Sequence, residues 1–226
     1  EDLLRTTIMA SANDSAVALA EYLAGTEQAF VERMNARASE IGMADTLYVN
    51  CTGYPQSGQH TTARDVMRLC CEVARHPDYF RYASVWIDKL THPGGRVTDL
   101  TNTNRLVRFY AGCDGFKTGS TDAAKYCVAA TAEKNGMRLV AVVLGASNSQ
   151  TRFNEARQML EYGFAAYQRT TVARKGDLLG QNLSVRGGSS EEVPLMLGNG
   201  LSLLLKKGQE TNLAIELCLP ENVQAP

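Results

Sequence analysis

Long apolar runs are missing from this chain. The longest, "LVAVVL" at 139–144, falls far short of the roughly 20 residues that a membrane-spanning helix requires, as does "LLL" at 203–205. Basic clusters are equally scarce. None is longer than a pair such as Lys206-Lys207, in a chain of net charge −1, so the electrostatic case for nucleic acid is absent. The one tryptophan, Trp86, and the tyrosines have no spacing that suggests a base-stacking platform. No C-x-x-C pair exists to suggest zinc or redox chemistry, and Cys51, Cys70, Cys71, Cys113, Cys127 and Cys218 are too irregularly spaced for a disulfide framework. We expect buried free thiols, with the adjacent Cys70 and Cys71 pointing to different sides of a helix. Any partner is therefore expected in a pocket.

At 226 residues the chain is long enough to bury a sizeable core, as one large domain or as one domain with a small companion. It opens on Glu1 instead of Met, and "EDLLRTTIMA" reads as the interior of a helix, so a preceding segment is expected. Leu3, Leu4, Ile8 and Met9 make an apolar stripe; Ser11-Ala12-Asn13 interrupts it, and Val17, Ala20, Leu23 and Ala24 resume at helical spacing up to Gly25. Thr26 caps the next helix, in which Phe30, Met34 and Ile41 face inward and Gly42 supplies the left-handed stop. A turn-rich stretch from Asp45 to His60 leads to a threonine-capped helix ending at His76-Pro77, and a short helix follows at Asp78 to Tyr82. "SVWIDKL" and "RVTDLTNTN" read as strands joined by the "PGG" turn.

Tyr126–Ala130 and Leu139–Leu144 flank Asn135-Gly136, the strongest short-range hairpin signal. Phe153, Ala156, Met159, Leu160 and Phe164 then mark an amphipathic helix. Sheet followed by helix predicts an α+β fold, not a doubly wound one. Beyond Tyr167 the text turns Gly-rich, with short apolar runs separated by "KGD", "RGG", "GNG" and "KKG", which predicts a small β domain.

The chemistry-bearing run is "GCDGFKTGST" at 112–121. As an edge strand, Lys117-Thr118-Gly119-Ser120 puts Lys117 and Gly119 on one face and Thr118 and Ser120 on the other, and the missing Cβ of Gly119 lets another backbone approach. An extended peptide could lie along it, its terminal carboxylate met by an ammonium and a hydroxyl. The competing reading is a solvated lysine that guards an edge strand against aggregation. Ser11 and Asn13, likewise, could be ordinary helix caps. The two motifs together, in this order and about a hundred residues apart, each in its expected local setting, favour a site.

On these motifs the chain resembles the low-molecular-mass penicillin-binding proteins, serine-type D-alanyl-D-alanine carboxypeptidases of peptidase family S11, within the β-lactamase and penicillin-binding superfamily. The likeness extends through "SANDSAVALAEYLAGTEQAFVERMNARASEIGM", "GQHTTARDVMRL", "LTNTNRLV" and "GCDGFKTGSTDAAKYCVAATAEKNGMRLVAVVLGA". It implies an incomplete β-lactamase/transpeptidase-like domain over 1–168 and a C-terminal β-rich domain over 169–226. That family uses Ser-x-x-Lys, Ser-x-Asn and Lys-Thr-Gly. No serine here has a lysine three positions on, so the nucleophile is expected on a segment ahead of Glu1, and the chain alone is expected to be inactive. The resemblance implies that Ser11 relays a proton, Asn13 holds the peptide, Lys117 and Thr118 bind the substrate carboxylate, and the Ser120 N–H forms half of an oxyanion hole beside Gly119. It implies peptidoglycan stem peptides and β-lactam antibiotics as partners, no metal or organic cofactor and an extracytoplasmic location. Membrane attachment would come only through a segment absent here.

Two alternatives stay open. A β-lactamase would need a deacylating carboxylate on a loop before Lys117, and the stretch from Trp86 to Asp114 contains no glutamate. A noncatalytic relative would have lost its nucleophile in evolution. The histidines read as structural: His76 and His92 each precede a proline, and His60 orients a loop. Asp14 is expected to cap the second helix and Asp114 to organise the approach to Lys117.

Overall fold

The computed structural model describes residues 1–209 and 216–224 and divides into two units, 1–134 with 138–163 and 135–137 with 164–226. In the first, α1 (Asp2–Arg5) runs into a π-helical turn at Thr6–Ala10 before α2 (Asn13–Ala24). The expected apolar stripe is corrected here: Met9 is fully buried while Leu3 and Leu4 are 39% and 44% exposed. One α-turn followed by a wider π-turn breaks the 3.6-residue spacing that the stripe assumed.

The cap signals hold. Thr26 Oγ1 accepts from the Ala29 N–H at 3.1 Å to open α3 (Glu27–Glu40), and Thr62 Oγ1 accepts from the Asp65 N–H at 3.2 Å to open α4 (Ala63–Val73). Gly42 closes α3 at φ +77°, its N–H on the Ser39 carbonyl and the Met43 N–H on the Ala38 carbonyl at 3.0 and 2.9 Å, a Schellman ending. Asp14 is not the cap of α2. Ala12 holds that position, and the Asp14 carboxylate accepts from the Ser15 N–H next to it at 2.8 Å.

Next come α5 (Pro77–Ala83), an antiparallel pair β1 (Ile87–Thr91) and β2 (Val97–Thr101), and α6 (Leu106–Phe109). The main sheet holds β3 (Cys113–Gly115), β4 (Thr118–Thr121), β5 (Lys125–Lys134) and β6 (Met137–Ala146). β3 and β4 follow one another along one side of β5, and β6 pairs with β5 through the Asn135-Gly136 turn, whose residues sit at φ +53° and +71°. These are the angles a two-residue hairpin demands. β4 is thus an edge strand among the described residues.

α7 (Ser149–Ala166) buries Phe153, Ala156 and Leu160, whereas Met159, expected on that face, is 49% exposed. A core between α4 and the β5–β6 hairpin collects Cys70, Phe116 and Ala129, with Val66, Val73, Val140 and Val142 packed around them. Tyr79, Phe80 and Phe116 meet there with ring centroids 5.6–5.9 Å apart. Buried Phe116 anchors the chain one residue before Lys117. The thiol expectation is corrected in part: Cys70 and Cys113 are buried, but Cys71 and Cys218 are exposed and Cys51 and Cys127 half-buried, all of them free. Cys70, buried, and Cys71, exposed, do fall on different sides of α4.

In the second unit, β7 (Tyr167–Ala173) pairs antiparallel with β10 (Leu201–Lys206). There β8 (Leu178–Arg186) lies antiparallel to β9 (Glu192–Met196) and parallel to β11 (Asn222–Gln224). The four Gly-rich turns fall between or after these strands as expected. The strand-like text at 210–215 lies outside the described residues. The architecture is α+β with a β-rich C-terminal part.

Candidate active site

The site is built where a helix break meets the edge of a sheet. The π-turn ends at Ser11, which takes left-handed φ/ψ of 59°/38° and is exposed at the corner before α2. A left-handed serine costs about 1 kcal/mol. The corner is held from within: Thr6 Oγ1 and Ser15 Oγ lie 2.8 Å apart across the break, and the Ala12 N–H donates to the Thr6 carbonyl at 3.2 Å.

The segment 102–104 ties this corner to the sheet. Asn102 is buried and donates through Nδ2 to the Ala83 and Val85 carbonyls, each at 2.9 Å, while its Oδ1 accepts from the Asn104 N–H at 2.9 Å. Asn104, fully buried, donates to the Gly115 carbonyl at 3.0 Å and accepts from the Leu106 N–H at 3.1 Å. Two buried amides thus replace the ladder bonds that an irregular segment lacks. Between them Thr103 faces the cleft: its N–H donates to the Met9 carbonyl at 3.0 Å and its hydroxyl meets Thr118 Oγ1 at 2.8 Å.

Lys117 crosses the gap. Its ammonium donates to Ser11 Oγ at 2.6 Å and to the Thr118 carbonyl at 2.9 Å. Burial, followed by the nearby Arg152 charge, lowers its pKa from 10.5 to about 8. Lys117 and Ala129 exchange both backbone hydrogen bonds, at 3.0 and 2.9 Å. Alternation along an antiparallel ladder then turns the polar groups of Thr118 and Ser120 away from β5, toward the open edge.

Ser11, Asn13, Lys117, Thr118, Gly119 and Ser120 all line one cleft of about 550 Å³. The alternation expected to divide 117–120 between two faces does not separate them, because the wall is the open edge of β4. The structure adds Thr52, Gly53, Tyr54, Thr103, Thr121, Ala124, Cys127 and Arg152. Arg152 is 8% exposed; its Nη1 donates to the Gly119 and Cys127 carbonyls at 3.0 and 3.1 Å. Desolvation lowers its pKa, yet an arginine stays charged, so the cleft holds a second cation. A separate cavity of about 420 Å³ is lined by Phe30, Met34, Ile41, Met43 and Leu69 among others, and lacks this convergence of polar groups.

The remaining candidates have structural partners. Asp114 forms a two-pronged pair with Arg138 at 2.7 and 2.8 Å, and that guanidinium also meets Glu133 at 2.7 Å and the Phe80 ring at 4.4 Å. His60 bonds the Gly58 carbonyl at 2.7 Å in its loop, His76 precedes α5, His92 meets Thr98 Oγ1 at 2.8 Å, and Trp86 packs edge-on against Phe109.

The chain matches the family model for D-alanyl-D-alanine carboxypeptidases over residues 1–148 and that for the C-terminal domain of penicillin-binding protein 5 over 167–226. It is 34% identical over 227 residues to the D-alanyl-D-alanine carboxypeptidase DacF of Bacillus subtilis (strain 168), an alignment covering all of this chain and 58% of that protein. The chain therefore spans less than two thirds of that relative's length. Penicillin-binding protein 5 from Haemophilus influenzae superposes with a TM-score of 0.78 at 29% identity, covering all of this chain and 65% of that one. Penicillin-binding protein D2 from Listeria monocytogenes, solved in the ampicillin-bound form, gives a TM-score of 0.64 at 34% identity over 72% of this chain and 66% of that one.

Proposed function

This chain belongs to the D-alanyl-D-alanine carboxypeptidase family, and from that premise we propose that the protein removes the terminal D-alanine from peptidoglycan stem peptides through an acyl-enzyme. The observation that carries the reading is the 2.6 Å contact of Lys117 Nζ with Ser11 Oγ at the open edge of β4, in one cleft with Asn13. A carboxylate entering this cleft meets the Lys117 ammonium, the Thr118 hydroxyl and the Arg152 charge. The Asn13 amide orients the peptide backbone, and the outward Ser120 N–H polarises the carbonyl under attack.

The attacking serine belongs to a Ser-x-x-Lys motif, which none of the serines in these 226 residues begins. Its oxygen, giving up its proton to the lysine of that motif, adds to the carbonyl of the penultimate D-alanine and the peptide C–N bond breaks. Ser11, bonded to Lys117, passes a proton to the departing amine, and water then hydrolyses the ester. Lys117 is suited to this relay because an amine with a pKa of about 8 gives and takes protons near neutral pH.

β-Lactams would acylate the same serine, consistent with the ampicillin-bound form of the Listeria relative. Among the described residues the cleft lining contains no carboxylate, which favours a carboxypeptidase over a β-lactamase. Peptidoglycan lies outside the cytoplasmic membrane, so the proposed location is extracytoplasmic and membrane-associated, with a role in cell-wall synthesis and cell shape.

The test is covalent labelling with a fluorescent penicillin. A longer form carrying Ser-x-x-Lys forms the adduct and releases D-alanine, Lys117→Ala in that form acylates far more slowly, and these 226 residues alone form no adduct. An adduct on the chain alone, or equal acylation by Lys117→Ala, contradicts the assignment.

A further inference from the structure

The proposed chemistry leaves one wall of the cleft unused. Among the described lining residues Tyr54 is the one aromatic side chain, and its companions are hydroxyls, an amide, small residues, a thiol and two cations. It is also 70% exposed, so it is not held in place by packing.

Its backbone, by contrast, is held tightly. Asn50 Oδ1 accepts from the Thr52 N–H and hydroxyl, each at 3.2 Å, and from the Gly53 N–H at 2.8 Å. Asn50 Nδ2 donates to the Tyr54 carbonyl at 2.8 Å and to Gln56 Oε1 at 3.2 Å. The Tyr54 N–H donates to Thr52 Oγ1 and Gln59 Nε2 donates to the Tyr54 carbonyl, both at 3.2 Å. The loop is fastened to α3 as well, through the Cys51 N–H and Glu27 Oε1 at 3.0 Å. Gly53 sits at φ +78°, a turn that another residue would adopt only under strain. A large ring on a fixed backbone has two side-chain torsions left to order, so contact with it costs little entropy.

Charge decides which part of a ligand meets the ring. A carboxylate is drawn to Lys117 and Arg152 and gains nothing from the electron-rich face of a tyrosine. An apolar group finds no other large apolar surface in this lining. We infer that Tyr54 is a specificity-determining residue whose ring covers the acyl portion of a D-alanyl-D-alanine peptide, the part ahead of the two alanines. The inference rests on the carboxypeptidase reading above and extends it to a preference for large, apolar acyl groups.

The test compares dissociation constants of two probes, N-acetyl-D-Ala-D-Ala and N-phenylacetyl-D-Ala-D-Ala, by NMR titration of this chain. Circular dichroism checks the fold of each variant. The native protein should favour the phenylacetyl probe by about tenfold, as expected for covering one ring-sized apolar group. Tyr54→Ala should bring the ratio to about one and Tyr54→Phe should keep it. A ratio unchanged in Tyr54→Ala, with Lys117→Ala abolishing binding of both probes, overturns the role of Tyr54 and leaves the carboxypeptidase reading standing. Binding of neither probe by the native chain overturns both.

Discussion

Replacing Lys117 by methionine should change how the stability of the first unit depends on pH. Burial, and after it Arg152, lowers the Lys117 pKa from 10.5 to about 8. The folded state therefore releases this proton earlier than the unfolded state. Between pH 8 and 10.5 the unfolded chain binds more protons, so stability rises with pH across that window, and the full cost of the buried ammonium is present below it. At about 1.4 kcal/mol per pH unit, the whole gap corresponds to about 3 kcal/mol. Roughly 2 kcal/mol of this falls between pH 7 and 9.5. Urea unfolding followed by Trp86 emission, the lone tryptophan of the chain and part of the first unit, measures this at several pH values. The native protein should gain about 2 kcal/mol relative to Lys117→Met over that interval, because every other titrating group is common to both. Parallel curves would refute the claim that Lys117 sits in a desolvated cleft beside a second cation.

Three further outcomes follow from the scaffold. Asn104→Ala removes a buried amide with partners at Gly115 and Leu106 and should cost about 2–4 kcal/mol in urea unfolding. Gly112→Ala places a Cβ 2.7 Å from the Glu133 carbonyl at φ +87°, whereas Gly58→Ala at φ +91° meets nothing within 4 Å. The first should lose more than about 2 kcal/mol and the second about 1, and equal losses in thermal unfolding would show that the backbone angle alone matters. Thr103→Val deletes the hydroxyl that meets Thr118 and should cost about 1 kcal/mol of stability while weakening D-alanyl-D-alanine peptide binding; unaltered affinity would remove this contact from the site.

Local chemistry made most of the fold legible. Asn135-Gly136, the Thr26 and Thr62 caps and the Gly42 stop each act within a few residues, and each appears where its residue type demands. Ser11 and Lys117 are recognisable as candidates in the sequence, but they stand 106 residues apart and their 2.6 Å contact arises only from tertiary packing. Arg152 escaped for the same reason. It lies on a helix whose amphipathic pattern marks Phe153, Ala156 and Leu160 for the core, and its carbonyl partners are 33 and 25 residues earlier in the chain. Thr103 carries no signal of its own, since two threonines in "TNTN" look alike until Asn102 and Asn104 are seen to be buried. The stripe at Leu3 and Leu4 misled because periodicity presumes a regular helix, and the π-turn resets the phase.

Lysine side-chain NMR, with the Lys117 resonance assigned by loss in Lys117→Arg, addresses the site most directly. Its titration should be centred near 8 in the free protein and move upward when N-acetyl-D-Ala-D-Ala is added, because a carboxylate beside the ammonium favours the charged form. A midpoint near the ordinary 10.5, indifferent to the peptide, would contradict the proposal that Lys117 meets the substrate carboxylate in this cleft.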